Sequence, residues 1–133
     1  MSPRSPEEIC RIFQRHMREG DLDGVLSVYD AEVVFVNQTG ESVTGRDALR
    51  HELMPFVSAR AVFEFDVNHV VQSGDIALMH TAWTIAAPRE LATYVYAIEV
   101  ARRQPDGTWR WLIGDPFTVR RNLKEAQELA MRH

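Results

Sequence analysis

Cysteine is almost missing from this sequence of 133 residues, which contains only Cys10. One cysteine cannot form a disulfide within the chain, and this fits a reducing compartment, so we expect a cytoplasmic protein. Long apolar runs are missing as well. No stretch approaches the roughly 18 residues of a membrane span, and the N-terminus has no signal-peptide apolar region, so we expect no membrane partner.

An excess of positive charge is also absent. Lysine and arginine number 15 against 19 aspartates and glutamates, which gives a formal net charge of −4. Nucleic-acid binding needs a basic face that displaces counterions, so no nucleic-acid partner is expected. The sequence lacks the glycine-rich dinucleotide fingerprint, the phosphate loop and the serine elbow, and its histidines lack metal-ligand spacing. We therefore expect no cofactor and no metal.

Helical periodicity dominates the first part of the chain. The first helix is predicted to begin at Ser5, where Glu8 completes a capping box, and to end at Gly20. A second, short helix follows, and then the apolar stretch EVVFV predicts a buried strand. The composition of NQTGESVTG favours a loop, and RDALRHELMPFVS favours a third helix.

From Arg60 onward, apolar residues alternate with polar ones, which is typical of strands. Four strands are predicted, with turns at Ser73-Gly74-Asp75, at Arg89-Glu90 and at the stretch QPDGT. One face of the first of these strands is predicted to carry Phe63, Phe65, Val67, His69 and Val71. A helical tail is predicted over about residues 122–133, after a core of about residues 5–119, within a single domain of residues 1–133.

This order of elements predicts an α+β fold. Three N-terminal helices should pack on one face of a strongly curved, mostly antiparallel sheet. The other face of the sheet still carries Val, Ile, Met and Trp side chains. We expect that this outer face forms a homodimer.

Several stretches carry a resemblance to a known superfamily: GDLDGVLSVYDAEVVFV, TGRDAL, SGDIALMHTAW and RRQPDGTWRW. Together they resemble the nuclear transport factor 2-like (NTF2-like) superfamily, which includes ketosteroid isomerases and SnoaL-type polyketide cyclases. The resemblance implies a cone in which helices wrap a bent sheet and an apolar pocket opens at the wide end. It also implies a small apolar molecule as partner, which relatives isomerise, dehydrate, cyclise, hydrolyse or only bind.

The same resemblance places three residues at positions that are functional in ketosteroid isomerases. Asn37 stands where those enzymes have a carboxylate base, and Phe13 stands where they have an oxyanion-binding tyrosine. Glu99 matches their second donor, a protonated aspartate. Because an amide cannot take up a proton near neutral pH, the usual ketosteroid isomerase chemistry is not expected. Asn37 is either a hydrogen-bonding ligand residue or a turn residue after the strand.

Glu99 is also the most informative residue on physical grounds, because every neighbour in YVYAIEVA is apolar. It either faces a pocket, where burial would raise its pKa as a general acid requires, or lies in solvent or an interface. A hairpin that turns at Arg89-Glu90 would place His80 opposite Glu99. We therefore predict Glu99 and His80 as a catalytic pair, although a register slip of one residue would move these side chains to the other face.

The remaining candidates are predicted to bind a ligand. These residues are Asn37, Phe13, His16, Leu112, Tyr96 and Asp115. His16 is alternatively a packed core histidine, and Asp115 a strand-ending Asp-Pro residue. Three functions remain open: an acid/base enzyme, a non-catalytic binding module and a dimeric association module. A raised pKa beside a second polar group would favour the enzyme, and a bare apolar pocket would favour the binding module.

Overall fold

A computed structural model describes residues 2–89 and 91–132, except for the side chains of Arg120 and Arg121. The described part contains four helices and six strands. In chain order these are α1 (Pro6–Glu19), α2 (Leu22–Ser27), β1 (Tyr29–Val36), β2 (Ser42–Thr44), α3 (Arg46–Ser58), β3 (Val62–Ser73), β4 (Ile76–Ala86), β5 (Thr93–Arg103), β6 (Trp109–Asp115) and α4 (Thr118–Met131). No helix among the described residues has the length and apolar character that crossing a bilayer requires.

The strands form one sheet in the order β2-β1-β6-β5-β4-β3. Only the β1–β6 pair among the described strands is parallel, and the others are antiparallel. Helix α1 packs against β3 and β6, and α3 packs against β1, so both helices cover one face of the sheet. The predicted α+β class, with three N-terminal helices on a mostly antiparallel sheet, is confirmed.

Local signals in the sequence explain where α1 begins and ends. The hydroxyl of Ser5 accepts a hydrogen bond from the backbone N–H of Glu8 at 3.2 Å, and Pro6 occupies the first helical turn. Gly20 ends the helix in the left-handed conformation, with a φ of 69°, which glycine adopts without steric cost. The buried face of α1 carries Phe13 into the core.

Three boundaries differ from the prediction or lie beyond the described residues. The predicted loop after β1 contains the short strand β2, which pairs with β1. Helix α4 begins at Thr118, earlier than the predicted position near residue 122. The predicted turn at Arg89-Glu90 and the predicted end of the tail include Glu90 and His133, which lie outside the described residues.

A bulge in β3 changes which side chains face the core. Val67 pairs with Thr81, but His69 pairs with His80, so one extra residue is inserted at Asn68. Such an insertion moves every later side chain of the strand to the opposite face. The prediction that His69 shares a face with Val67 is therefore wrong, and so is the same prediction for Val71.

A buried ion pair ties β1 to the end of β5. Asp30 is 3% exposed, and its carboxylate accepts hydrogen bonds from Arg102 Nη2 at 2.8 Å, Arg102 Nε at 3.0 Å and Gln104 Nε2 at 2.8 Å. Burial alone would raise the pKa of Asp30. The Arg102 guanidinium, the backbone N–H of Glu32 and the Gln104 amide outweigh burial and hold the pKa at about 2.

Replacing Asp30 with Asn should lower the free energy of unfolding at pH 7 by about 2 kcal/mol, because the folded-state pKa lies below the ordinary value. This stabilisation is present above the ordinary pKa of 3.8 and is lost as the pH falls from there toward 2. The difference between the two proteins should therefore shrink between about pH 4 and about pH 2, as measured by urea unfolding.

The control is Asp75→Asn, which removes an exposed pair with Arg103 and should change stability very little. Equal losses in the two variants, or a loss in Asp30→Asn that does not depend on pH, would contradict the role given to the buried pair.

Candidate functional site

The inner face of the sheet encloses a cavity of about 70 Å³. Side chains from α1, α3 and every described strand except β2 line it, and the wall is mainly apolar. Glu99 and Asp115 are the acidic residues of this wall. We call this space the inner cavity.

Two wider cavities adjoin the inner cavity. One of about 410 Å³ lies beside the turn after β1, and one of about 210 Å³ lies beside the segment between β4 and β5. Phe56 and Phe117 contribute to the walls of all three spaces. These two rings therefore lie where the inner cavity adjoins the outer ones.

Aromatic rings form the floor of the inner cavity around Phe13. The ring centroid of Phe13 lies 5.1 Å from that of Phe63, 5.5 Å from that of Trp83 and 5.4 Å from that of Trp111, each in an edge-to-face arrangement. Edge-to-face contacts add stabilisation beyond the burial of area, so these rings hold one another in place. The predicted candidate Phe13 thus lies in the wall of the cavity.

Glu99 reaches the inner cavity from the middle of β5. It alternates with Ala97 and Ala101 on the buried face of the strand and is 7% exposed. Burial raises the pKa of Glu99 to about 7, and the nearby Thr81 and Trp83 side chains offset only part of that increase. Oε1 of Glu99 has no hydrogen-bond partner within the described residues, and neither has the Thr81 hydroxyl, so their contact is too loose to be a formed hydrogen bond.

The other polar groups beside Glu99 are neutral. Burial raises the pKa of the Cys10 thiol, and the nearby Glu99 carboxylate raises it further. The same two causes, in the same order, raise the pKa of the Tyr29 phenol. Neither group becomes an anion near neutral pH, so Cys10 does not supply a thiolate nucleophile.

The predicted pair of Glu99 and His80 is contradicted by the register. Met79 pairs with Glu99, and His80 pairs with Ile98, so the strands are shifted by one residue from the predicted pairing. Because neighbouring residues of a strand point to opposite faces, His80 lies on the outer face of the sheet. Its ring centroid is 5.8 Å from that of His69 there.

Tyr96 also lies on the outer face, where its hydroxyl accepts a hydrogen bond from Asn68 Nδ2 at 3.3 Å. Its predicted place in the pocket is therefore wrong, because it alternates with the inward-facing Ala97. Leu112 is the extra residue of a bulge in β6 and is not part of the wall of the inner cavity. His16 lies at the end of α1, with Nδ1 3.4 Å from Asp21 Oδ2, and is also outside that wall.

Asn37 and Asp115 line cavities, but local hydrogen bonds occupy both. Asn37 Oδ1 accepts from the backbone N–H groups of Thr39 and Glu41 at 3.1 and 3.0 Å, as a turn residue does, and borders the 410 Å³ cavity. Asp115 Oδ1 accepts from the backbone N–H of Thr118 at 3.0 Å, and Oδ2 accepts from the Thr118 hydroxyl. Asp115 therefore caps α4.

Sequence reasoning missed Thr81 as a neighbour of Glu99. Thr81 is fully buried on the inner face of β4, two residues from Trp83, but it is not part of the wall of the inner cavity. Alternation with the buried residues Met79 and Trp83 was the signal that could have found it. The site therefore consists of the buried Glu99 carboxyl group above an aromatic floor.

The titration of Glu99 can be measured directly. A ¹³C NMR titration of its side-chain carboxyl should have a midpoint near pH 7. Because the folded-state pKa is raised, stability should be greatest below the ordinary value of 4.5 and should fall by roughly 3 kcal/mol as the pH rises through 7. Glu99→Gln should lose this dependence in urea unfolding, and a wild-type midpoint below pH 5 would contradict the buried acid.

Solved structures share this architecture. A proposed calcium/calmodulin-dependent protein kinase type II association domain from Thiobacillus denitrificans aligns with a TM-score of 0.72 and 21% identity, covering 88% of this chain and 98% of that one. A ketosteroid isomerase-like protein from Erwinia carotovora atroseptica aligns at 0.63 and 18%, covering 81% and 88%. A proposed dehydratase of the NTF2-like family from Streptomyces avermitilis aligns at 0.67 and 22%, covering 81% and 88%. At these identities the likeness shows the NTF2-like, cystatin-like fold.

No curated protein sequence matches the chain significantly. The sequence profile of the SnoaL-like domain matches residues 10–112, which is most of the chain. The matched segment includes Phe13, Thr81, Glu99 and Trp111, so it contains both the floor of the inner cavity and its buried acid. The chain therefore belongs to the SnoaL-like domain family of the NTF2-like superfamily.

Proposed function

We propose that this protein is a cofactor-independent acid/base enzyme that transfers a proton on a small, mostly apolar molecule in the inner cavity. The observation that carries the proposal is Glu99, a carboxyl group buried among aromatic rings with a pKa of about 7. A general acid or base works best when its pKa lies near the operating pH, because it then gives and takes a proton with similar ease.

One carboxyl group suffices for this chemistry. Ionised Glu99 takes a proton from an activated carbon of the substrate, and protonated Glu99 returns that proton to another carbon or to a leaving hydroxyl group. Isomerisation follows in the first case and elimination of water in the second. Asp115 is not proposed as a second catalytic acid, since both of its carboxylate oxygens bind the start of α4.

The walls favour an apolar substrate of small size. The inner cavity measures about 70 Å³, and Phe56 and Phe117 line both this space and the larger outer cavities. Burial of apolar surface contributes roughly 25 cal/mol of binding free energy per Å², so the aromatic floor should bind the hydrocarbon part of a substrate well. Oε1 of Glu99 and Nε1 of Trp111 belong to residues of this wall and have no hydrogen-bond partners among the described residues, so they are available to a polar group of the substrate.

The alternative is a binding module without turnover, and the same two unpaired polar atoms favour it. They would hold the polar end of a ligand by hydrogen bonds while the aromatic floor holds its apolar part. In that case Glu99 would contribute to affinity, and its substitution would weaken binding. If the protein is the proposed enzyme, Glu99 contributes mainly to the rate, and its substitution lowers turnover more than affinity.

We also propose a homodimer through the outer face of the sheet. Several large apolar side chains on this face are solvent-exposed, among them Val71 at 49%, Ile76 at 40% and Leu78 at 38%. Exposed apolar residues that are contiguous on one face are typical of an interface, and a two-fold dimer is the commonest solution. We place the protein in the cytoplasm on the basis of its single, buried Cys10.

The catalytic role predicts how Glu99→Gln will behave. In a screen of small apolar ketones and alcohols, followed by product analysis, the wild type should turn over at least one compound. Glu99→Gln should lower the rate by about 10² to 10⁴, the usual contribution of a general acid or base, and should keep affinity within about tenfold.

Asp115→Asn is the matched control, because it alters the other acid of the wall while keeping an oxygen that can cap α4. Its rate should stay close to that of the wild type. Unchanged turnover in Glu99→Gln would refute the catalytic role, and binding without turnover in the wild type would identify a binding module.

The dimer is tested by placing a charge on the outer face. Leu78→Glu should convert the dimer to a monomer at micromolar concentration, because a carboxylate would be buried without a partner at the interface. Light scattering measures the mass. Leu91→Glu is the control, since Leu91 is 93% exposed in the segment between β4 and β5 and should not affect assembly. A monomeric wild type would contradict the proposal.

A further inference from the structure

A second group of polar side chains lies outside the inner cavity, at the corner between α1 and α2. His16, Glu19 and Asp21 each place one potential ligand atom within 4.8 Å of the other two. His16 Nδ1 lies 3.4 Å from Asp21 Oδ2 and 3.9 Å from Glu19 Oε2. We call these three residues the corner cluster.

Nδ1 of the His16 imidazole lacks a hydrogen-bond partner among the described residues. The His16 side chain is only 14% exposed, and Nδ1 is fully buried. The contact with Asp21 is close, but it does not have hydrogen-bond geometry. Buried polar atoms without partners are rare, because such an atom loses its hydrogen bonds to water and gains none in the protein. Nδ1 therefore lies within ion-pair distance of two carboxylates but makes no hydrogen bond to either.

The backbone around the corner cluster is built to bring these atoms together. Gly20, in the left-handed conformation, turns the chain so that Asp21 comes back toward His16. Asp21 Oδ1 accepts from the backbone N–H of Gly24 at 2.9 Å, which fixes the carboxylate and leaves Oδ2 toward the imidazole. A Cβ atom at Gly24 would lie 2.3 Å from His16 Nδ1 and 2.5 Å from Asp21 Oδ2, so only glycine permits this approach.

The spacing and the donor types fit a small divalent metal ion. Two bonds of about 2.1 Å at a tetrahedral angle separate their ligand atoms by about 3.4 Å. The distance between His16 Nδ1 and Asp21 Oδ2 is 3.4 Å, and Glu19 Oε2, which is 3.9 Å from Nδ1, belongs to an exposed side chain that can move closer. One imidazole nitrogen with two carboxylate oxygens suits zinc and its neighbours, whereas calcium and magnesium prefer oxygen ligands. The cluster also lies at the C-terminus of α1, where the helix dipole favours a cation.

We propose that His16, Glu19 and Asp21 bind a divalent transition-metal ion of the zinc type, which fixes the corner between α1 and α2. Spacing among histidines alone gave no hint of this site, because two of its three ligands are carboxylates. The site lies apart from the inner cavity, so the proposal does not depend on the chemistry of Glu99.

Calorimetric titration of the metal-free protein with zinc chloride at pH 7.5 tests the site. The wild type should bind one equivalent, and His16→Gln should abolish binding. Glu19→Gln and Asp21→Asn should each weaken binding by about tenfold or more, since even indirect partners of metal ligands have effects of that size. Asp21→Asn keeps the oxygen that caps α2, so its effect reports the lost charge rather than a lost cap.

Two histidine controls separate this site from adventitious binding. His51→Gln removes an exposed histidine on α3, and the double variant His69→Gln, His80→Gln removes the neighbouring pair on the outer face. Both should keep the full affinity for zinc. Zinc should also raise the melting temperature of the wild type but not of His16→Gln, because only the protein that binds the metal is stabilised by it.

Three results would overturn the proposal: no stoichiometric binding at 100 µM zinc, binding that His16→Gln leaves unchanged, or binding that the outer-face double variant abolishes. If His16→Gln does not fold, Glu19→Gln decides the question, because Glu19 is 57% exposed and its substitution does not disturb packing. Unchanged affinity in that variant would then refute the site.

Discussion

The burial of one carboxyl group, Glu99, is the constraint on which the site depends. Phe13, Trp83 and Trp111 pack into an apolar floor, and an acid set in that floor is stable mainly in its neutral form. Stability therefore favours the protonated group, while the proposed proton transfer also requires the ionised one. A pKa near 7 satisfies both conditions, because ionisation of Glu99 at neutral pH then lowers the free energy of unfolding by an amount that the folded protein tolerates.

The boundary of the inner cavity is formed by a different part of the molecule. The floor is fixed by mutual ring contacts, but Phe117 lies at the junction between β6 and α4, where Asp115 binds the first residues of the helix. The interpretation of Asp115 as a strand-ending Asp-Pro residue and its place in the cavity wall are thus compatible. Its hydrogen bonds hold the backbone that carries the Phe117 ring, which lines both the inner and the outer cavities.

The sequence predicted most of the helices and strands, but not the short strand β2 and not the register of the hairpins. The cap of α1 at Ser5 and its end at Gly20 could be predicted, because each depends on residues that lie three or four positions apart in the sequence. The burial of Glu99 followed from its apolar neighbours in the strand. The pairing of His80 could not be predicted in this way. A hairpin register that shifts by one residue moves every side chain to the other face, and the sequence does not determine the register across the turn. The bulge at Asn68 moved His69 to the outer face in the same way, and nothing in the sequence indicated this bulge. The corner cluster could not be predicted either, because the turn at Gly20 brings its residues together only in the folded chain.

The absence of His80 from the cavity changes the chemistry that Glu99 can support. An imidazolium beside the carboxylate would lower the pKa of Glu99 and would create a pair that divides one proton. The polar neighbours in the structure, Thr81, Cys10 and Tyr29, are neutral instead, so no cation among the described residues compensates the ionised acid. An apolar ligand in the inner cavity would make ionisation of Glu99 still more costly. Under the proposed function, the protonated protein should therefore bind such a ligand best, and turnover should begin with proton donation or with a substrate acidic enough to exchange its proton with Glu99.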